Sequence, residues 1–417
     1  MRIVYLHQYF NTPDMAGSTR SYEMATSWAA AGHEVHVITS ARKPAGRVRR
    51  GWRAECIDGI TVHWRPVPYG NEMGFVQRVR AFLTFAALAG PRARSIRPDA
   101  VFATSTPLTI ILPALVATAL RRSRLFFEVR DLWPQLPIAT GHLRHPLLIR
   151  AAQLLETLAY RSSRMIVALS PGMAEGVIAR GTPEQKVVVA PNACDTHMFT
   201  VPPAVGLRYR RGHPQLGTGP LIAYCGTLGE INGVSYLVRL AAIMRRIHPD
   251  AVFGIYGTGK DEPEVRALAR RLGVLDANLF MMGAVPKREI VEVLSAAAVA
   301  VSLFRPIPEM EMNSANKFFD ALAAGRPVAI NYGGWQAELI RQTGCGVVLH
   351  PGDIETAAEE LNSFLQSNTL QERAREAARR LATGPFARSR ITETVLDTIT
   401  GPTDRNSGLR QPSAVSR

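Results

Sequence analysis

The sequence predicts two doubly wound α/β domains, with parallel sheets covered by helices and facing each other across a deep cleft. Three observations carry that expectation. Apolar strands alternate with amphipathic helices, the alternation starts afresh at two places, and a Pro-, Gly- and Arg-rich stretch separates the two runs. At 417 residues, with 47% apolar and 20% charged side chains, the chain has material for two ordinary cores.

The first run opens with "RIVYLHQYF" as a strand. A loop to Gly17 follows, then a helix through Ala31 that Gly32 ends, and "GHEVHVITS" as the next strand. Further on, "LFFEVRDLWP" reads as a buried strand delivering Arg130 and Asp131 at its carboxyl end, and "VALSPGM" and "VVVAPNACDTHMF" as two more strands. The longest apolar run, Pro107 to Leu120, is too short to span a bilayer and contains Pro113, so it predicts a buried helix. The stretch 201–218, "VPPAVGLRYRRGHPQLGT", has linker composition. The second run begins with strand Leu221–Cys225 and continues through "DAVFGIYGTG", "NLFMMGAV" and "VAVSLF", with helices between. Domains are therefore expected at 1–200 and 219–385. A last helix at about 386–400 could cross back to the first domain, and a polar, disordered tail occupies 401–417.

Composition limits the partners. Residues 1–199 hold 24 basic and 13 acidic side chains, and the remainder 25 and 21, so the cationic surplus lies in the first half. Such a surface suits anionic lipid, nucleic acid or a phosphorylated substrate, although arginine abundance alone would also produce it. Its arginine clusters have few interleaved aromatics and match no nucleic-acid-binding module, so nucleic acid is not expected. The four cysteines lie far apart, without CxxC or metal spacing, as in a reduced cytoplasmic protein. No metal-ligand cluster, signal peptide or P-loop is read.

In doubly wound sheets ligands meet the carboxyl ends of the strands, so the chemistry is sought in strand-to-helix loops. The most informative is "MNSANKFFDALAAGRPVAINY". A helix capped by Asn313 or Ser314 begins there, and Gly325 ends it. Its exposed amides, those of Ser314 and Asn316 included, suit a phosphate, Lys317 adds a full charge, and Asp320 could accept from paired ribose hydroxyls. The plain alternative is an i,i+3 ion pair between Lys317 and Asp320 on a solvated face. In the first loop, Gly17 permits close backbone approach, Ser18 or Thr19 can cap the helix, and Arg20 could meet a phosphate. Gly226, Thr227 and Gly229, followed by Asn232, form a second possible phosphate cradle, and Gly257 a weaker one.

Together these stretches resemble the family 4 retaining glycosyltransferases of GT-B fold, with two Rossmann-like domains, over about residues 1–400. They look most like the WbuB-like branch that builds bacterial cell-surface polysaccharides. The resemblance implies transfer of a hexosyl or N-acetylhexosaminyl group from a nucleoside diphosphate sugar to a hydroxyl, with no metal or other cofactor. The acceptor would be a lipid-linked saccharide, bound on the first domain near Arg20, Arg130 and Asp131, and the enzyme would be cytoplasmic or peripheral on the inner membrane face. Alternatives are a soluble small-molecule acceptor or a catalytically dead scaffold.

Departures from the family pattern are specific. Ala16-Gly17 replaces a usual Gly-Gly. Asp320 aligns with the second acid of the Glu-x7-Glu motif, but Met312 stands at the first, with Glu309 and Glu311 nearby. Thr227 and Asn232 occupy positions where many members carry cations, which makes Lys317 the remaining charge for the diphosphate. Arg130 replaces a frequent histidine and moves attention to Asp131. Lys317, Asp131 and Gly17 are thus the candidate catalytic residues.

Overall fold

A computed structural model describes residues 1–15, 17–41, 51–70 and 73–401. Ala16, most of the basic stretch "ARKPAGRVRRGWR" and the tail beyond Gly401 lie outside the described residues.

The first domain is built on eight strands: β1 (Arg2–Leu6), β2 (Glu34–Ala41), β3 (Arg53–Ile57), β4 (Ile60–Pro66), β5 (Ala100–Thr104), β6 (Arg124–Val129), β7 (Met165–Ala168) and β8 (Val187–Val189). Their order is β3-β4-β2-β1-β5-β6-β7-β8, parallel throughout except for β3–β4. That edge hairpin turns at Asp58-Gly59, both at positive φ (46° and 83°), as a two-residue Asp-Gly turn requires. The central strands are apolar on both faces because helices cover both: β5, "AVFAT", is buried at every residue.

The second domain uses β9 (Leu221–Cys225), β10 (Val252–Tyr256), β11 (Leu279–Gly283), β12 (Val299–Ser302), β13 (Val328–Ile330) and β14 (Gly346–Val348), all parallel, in the order β11-β10-β9-β12-β13-β14. Both sheets reverse direction of winding beside their first strand, where a ligand crevice is expected.

Two connections decide how the halves are joined. The expected linker 201–218 is instead a helix, Pro203–Gly212, and a short 3-10 turn, Pro214–Leu216. Pro203 starts the helix, and Gly206 lies so close to the helix Lys287–Ala296 that a Cβ there would stand 2.4 Å from the Ser295 carbonyl oxygen. Tyr209 and Leu216 are buried with Val293 and Ala297 in the second domain. The last helix, Arg388–Thr400, packs against the helix Arg20–Ala30. Ile391, Val395 and Ile399 join the first domain's core, and Trp28 Nε1 donates to the Thr392 carbonyl at 3.4 Å.

The apolar run ending at Leu120 forms the short helix Ile111–Thr118, buried through Ile111, Ala114 and Ala117. Leu120 itself, at φ 56°, is 99% exposed. Among the described residues no helix is long and apolar enough to cross a membrane.

Candidate functional site

Strand β12 ends at Ser302, and the chain crosses to the helix Asn316–Ala323 through a loop that meets the first domain at several points. The Met312 side chain lies against Gly172, where a Cβ would fall 2.7 Å from its Cγ, and its carbonyl accepts from Ser170 Oγ. Asn313 Nδ2 donates to Asp131 Oδ1 at 3.4 Å. Ser314 Oγ accepts from the Asn192 amide at 3.2 Å, and its carbonyl accepts from Asn192 Nδ2. Met312 therefore makes an apolar contact between the domains. Ser314 is buried at the domain junction, not open to a diphosphate. It does not cap the helix either: the helix starts at Asn316, exposed to solvent, behind Ala315 and without a side-chain cap.

Lys317 turns toward β9. Its ammonium donates to Asn232 Oδ1 at 2.8 Å and to the Tyr224 hydroxyl at 3.3 Å, and stands 4.8 Å and 5.5 Å from the ring centres of Tyr224 and Phe304. The group is half-buried, both hydrogen-bond partners are neutral, and burial pulls its pKa down to about 8. A cation held by neutral oxygens and aromatic faces still lacks a counter-charge. Gly226 is what lets it sit there, since a Cβ at Gly226 would be 3.1 Å from Lys317 Cε and 3.4 Å from Nζ.

The Gly226 loop is held from behind. Gly257 has φ +154°, and a Cβ on it would overlap the Gly226 carbonyl oxygen at 1.8 Å. Leu228 N donates to the Thr258 carbonyl at 3.0 Å. Gly257 thus supports the cradle by close packing rather than by facing a ligand. Thr227 is exposed and Gly229 partly open, and the Gly229 carbonyl accepts from the Asn232 amide at 2.9 Å, which fixes the turn that presents Asn232.

Asp320, one turn beyond Lys317, does not pair with it. Its carboxylate lies 3.5 Å from Lys287 Nζ, so the i,i+3 ion pair is absent. Lys287 also donates to Thr19 Oγ1 at 3.3 Å, which links Asp320 to the loop around Gly17. Burial raises the Asp320 pKa against the opposing pull of Lys287. Burial also works to lower that of Lys287, but Asp320 and the nearby Glu23 and Asp195 outweigh it and hold the ammonium above its ordinary range. Arg388 completes the cluster, 2.8 Å from Glu23 and 2.7 Å from Asp195.

On the first domain, Gly17 has φ +130°, and a Cβ there would fall 2.7 Å from Asn11 Nδ2, so the turn requires glycine. Thr19 precedes the helix without capping it, because its hydroxyl serves Glu23 and Lys287. Arg130 reaches under the loop, donating to Ser18 Oγ at 3.1 Å and lying 3.5 Å from His7 Nε2. Beside it, burial raises the Asp131 pKa to about 6 against the opposing pull of Arg130 and of the Thr106 hydroxyl. Arg20 takes no part. Its guanidinium is buried, 2.9 Å from the buried Glu128, and donates to the carbonyls of Ala190 and Pro191. The sequence showed its place in the first turn but not the acid 108 residues later that neutralises it.

Two cations escaped the sequence reading. Lys287 follows the loop after β11, and Arg305 follows β12, so each sits where the fold puts ligand-facing residues. Arg305 pairs with Glu230 at 2.7 Å and its amide donates to the Ile231 carbonyl, which braces the loop that carries Asn232. Position after an apolar strand was the available signal for both.

Residues 16–193 match the family model for the glycosyl transferase 4-like domain, and residues 208–381 that for glycosyl transferases group 1. A glycogen synthase of Mycobacterium tuberculosis is 26% identical over 387 residues, covering 88% of this chain and 86% of that protein. Two solved structures share the fold across nearly the whole chain. One is WaaG, a glycosyltransferase involved in lipopolysaccharide biosynthesis, with TM-score 0.70, 17% identity, and 96% of this chain and 100% of that one covered. The other is Anabaena Alr3699/HepE in complex with UDP-glucose, with TM-score 0.70, 15% identity, and 96% and 99% covered.

Proposed function

The chain belongs to the family 4 glycosyltransferases of GT-B fold and uses a nucleotide-sugar donor; from that premise we propose that it is a retaining enzyme of cell-envelope polysaccharide synthesis. Its acceptor would be a hydroxyl of a lipid-linked saccharide, in the manner of the WbuB-like branch, and its donor a hexosyl or N-acetylhexosaminyl nucleoside diphosphate. The UDP-glucose held by HepE makes a uridine diphosphate sugar the first donor to try.

The observation that carries the donor reading is Lys317, a half-buried ammonium with neutral partners beside the Gly226 loop. In the transfer, the bond between the sugar's anomeric carbon and the diphosphate oxygen breaks. A bond to the acceptor oxygen forms on the same face, and the acceptor's proton passes to the departing diphosphate. Negative charge grows on that diphosphate, and a cation fixed beforehand stabilises it more than it stabilises the bound donor. Lys317 supplies the charge, and the amides of the Gly226–Gly229 turn and of Asn316 supply donors. Asp320 accepts from the ribose hydroxyls, exchanging part of its interaction with Lys287 for them. Gly17 leaves room for the donor at the opposite wall, and Asp131 orients the acceptor hydroxyl. Being a carboxylate only above about pH 6, Asp131 makes activity fall as the pH drops below that value.

A thermal-shift series with UDP, GDP, ADP and their sugars tests the donor site, followed by transfer of labelled sugar to a polyprenyl-diphosphate-linked saccharide in detergent. Stabilisation by one diphosphate in the native chain but not in Lys317→Ala is the expected result. No shift with any nucleotide defeats the donor site. The similarity to a glycogen synthase supports a second reading, a water-soluble glucan acceptor. Transfer to glucan primers with none to the lipid-linked saccharide would select it, and donor binding with no transfer or donor hydrolysis would identify a dead scaffold.

A further inference from the structure

One outer face of the first domain combines leucine and arginine in a way its interior does not explain. It is formed by the helices Phe75–Ser95, Ile111–Thr118 and Pro146–Ser162, which pack side by side. At helical spacing, Leu147, Ala151, Leu154 and Leu158 fall on one stripe of the third helix, and that stripe faces solvent. Leu147 is 66% and Leu154 71% exposed. Arg150 and Arg161 flank the stripe on one side, both exposed. The helix's own acid, Glu156, is on the opposite side, fully buried and held by Arg180 at 2.8 Å. It is the only acid in all three helices. The turn after Ile111–Thr118 adds the fully exposed Leu120, followed by the exposed Arg121 and Arg122.

A solvated helix face normally carries both signs of charge and few leucines. This one reverses the pattern along its helices: apolar in the middle, cationic at the margin, with the one helical acid withdrawn to the interior and the exposed Asp99 confined to the far end beside Arg121 and Arg122. That arrangement complements a surface that is apolar below and anionic above. The face also meets the rim of the cleft. His142, four residues before Pro146, lies 3.9 Å from Glu230 of the second domain, and Gln135 Nε2, on the segment leaving Asp131, lies 3.4 Å from Glu156.

We infer that this face, centred on the helix Pro146–Ser162, docks on an anionic lipid bilayer, with Leu147, Leu154 and Leu158 in the interface and the arginines among the headgroups. The helix lies flat, which brings the acceptor end of the cleft to the membrane surface. The inference deepens the lipid-linked acceptor reading and rests on it for its biological sense, but its test does not need that reading.

The test is flotation of the full chain with vesicles of phosphatidylcholine alone and of phosphatidylcholine containing about a quarter phosphatidylglycerol. The native chain, L147E/L154E/L158E and a control, L207E/L370E, are compared. The control's two leucines are exposed on the second domain. The native chain and the control should bind anionic vesicles, weakening with salt, and the triple variant about tenfold or more weaker. Its melting temperature and its shift with UDP should stay native. If the triple variant melts early, R150E/R161E reads the same surface, with the same loss expected. Equal binding by native chain and variants overturns the docking, as does no binding by the native chain. A native dimer that the triple variant dissolves without vesicles also overturns it, since the face then belongs to a second copy. Vesicle binding through the leucines with transfer only to soluble acceptors leaves the docking standing and ends the lipid-linked reading. Transfer to the lipid-linked acceptor with no vesicle binding does the reverse.

Discussion

Arg20 and Lys317 occupy matching places. Each lies in the first turn of a helix that follows a central strand, one in each domain. They behave as opposites. Arg20 is neutralised by Glu128 and two carbonyl groups inside the first domain, whereas Lys317 has neutral partners and stands at the cleft. A cation at a helix start is therefore a ligand site only if no buried acid has already matched it.

The largest expected effect separates the two on stability. Arg20→Ala leaves the buried Glu128 without its counter-charge, with the Thr104 hydroxyl still donating to it, and should lower the unfolding free energy by about 3–5 kcal/mol in urea titration. Lys317→Ala removes an ammonium that burial disfavours, so its melting temperature should hold or rise. Its transfer rate should instead fall about 10²–10³-fold, the scale of losing one fixed donor to a developing charge. If both variants unfold alike, the contrast is broken.

Next comes pH. The Lys317 ammonium is disfavoured in the folded state, with a pKa near 8 against an ordinary 10.5. Its cost to folding is full below pH 8 and disappears as the pH rises toward 10.5. Diphosphate binding has the opposite dependence, because it needs the proton. Affinity measured by titration calorimetry should weaken about tenfold per pH unit above 8, and Lys317→Ala should flatten that limb. A native profile level to pH 10 would remove the proton from the account.

The smallest effect concerns the link between the halves. Lys287→Ala frees Asp320 and Thr19 from a shared partner and should raise the KM for the donor severalfold, about 1 kcal/mol, with kcat little changed. A fall in kcat alone would show that Lys287 serves the chemical step.

The architecture was legible because periodicity marks strands and helices locally. Both domain starts, the cleft and the final helix could be read from strand–helix alternation. The segment 201–218 was misread because proline, glycine and arginine look the same in a linker and in a helix that begins on Pro203 and packs closely at Gly206. The β3–β4 hairpin went unread although Asp58-Gly59 signalled it. The loops that carry Lys317, Asp320, Gly226 and Asn232 could be located from the sequence because each follows an apolar strand; that Lys317 meets Asn232 across them, and Asp320 meets Lys287, could not. The destinations of Arg20, Ser314 and Met312 were not legible, since Glu128, Asn192 and Gly172 are remote in the chain.

The crossing of the last helix has an evolutionary consequence. Its buried stripe completes the opposite half's interior, so a gene cut near residue 200 would yield an amino-terminal fragment with Trp28 uncovered and a carboxy-terminal one with Ile391, Val395 and Ile399 bare. Recombination that exchanges donor specificity between relatives must therefore leave the final thirteen-residue helix matched to the amino-terminal parent. A chimera joined at a single point inherits a mismatched clasp, and one joined at two points keeps it.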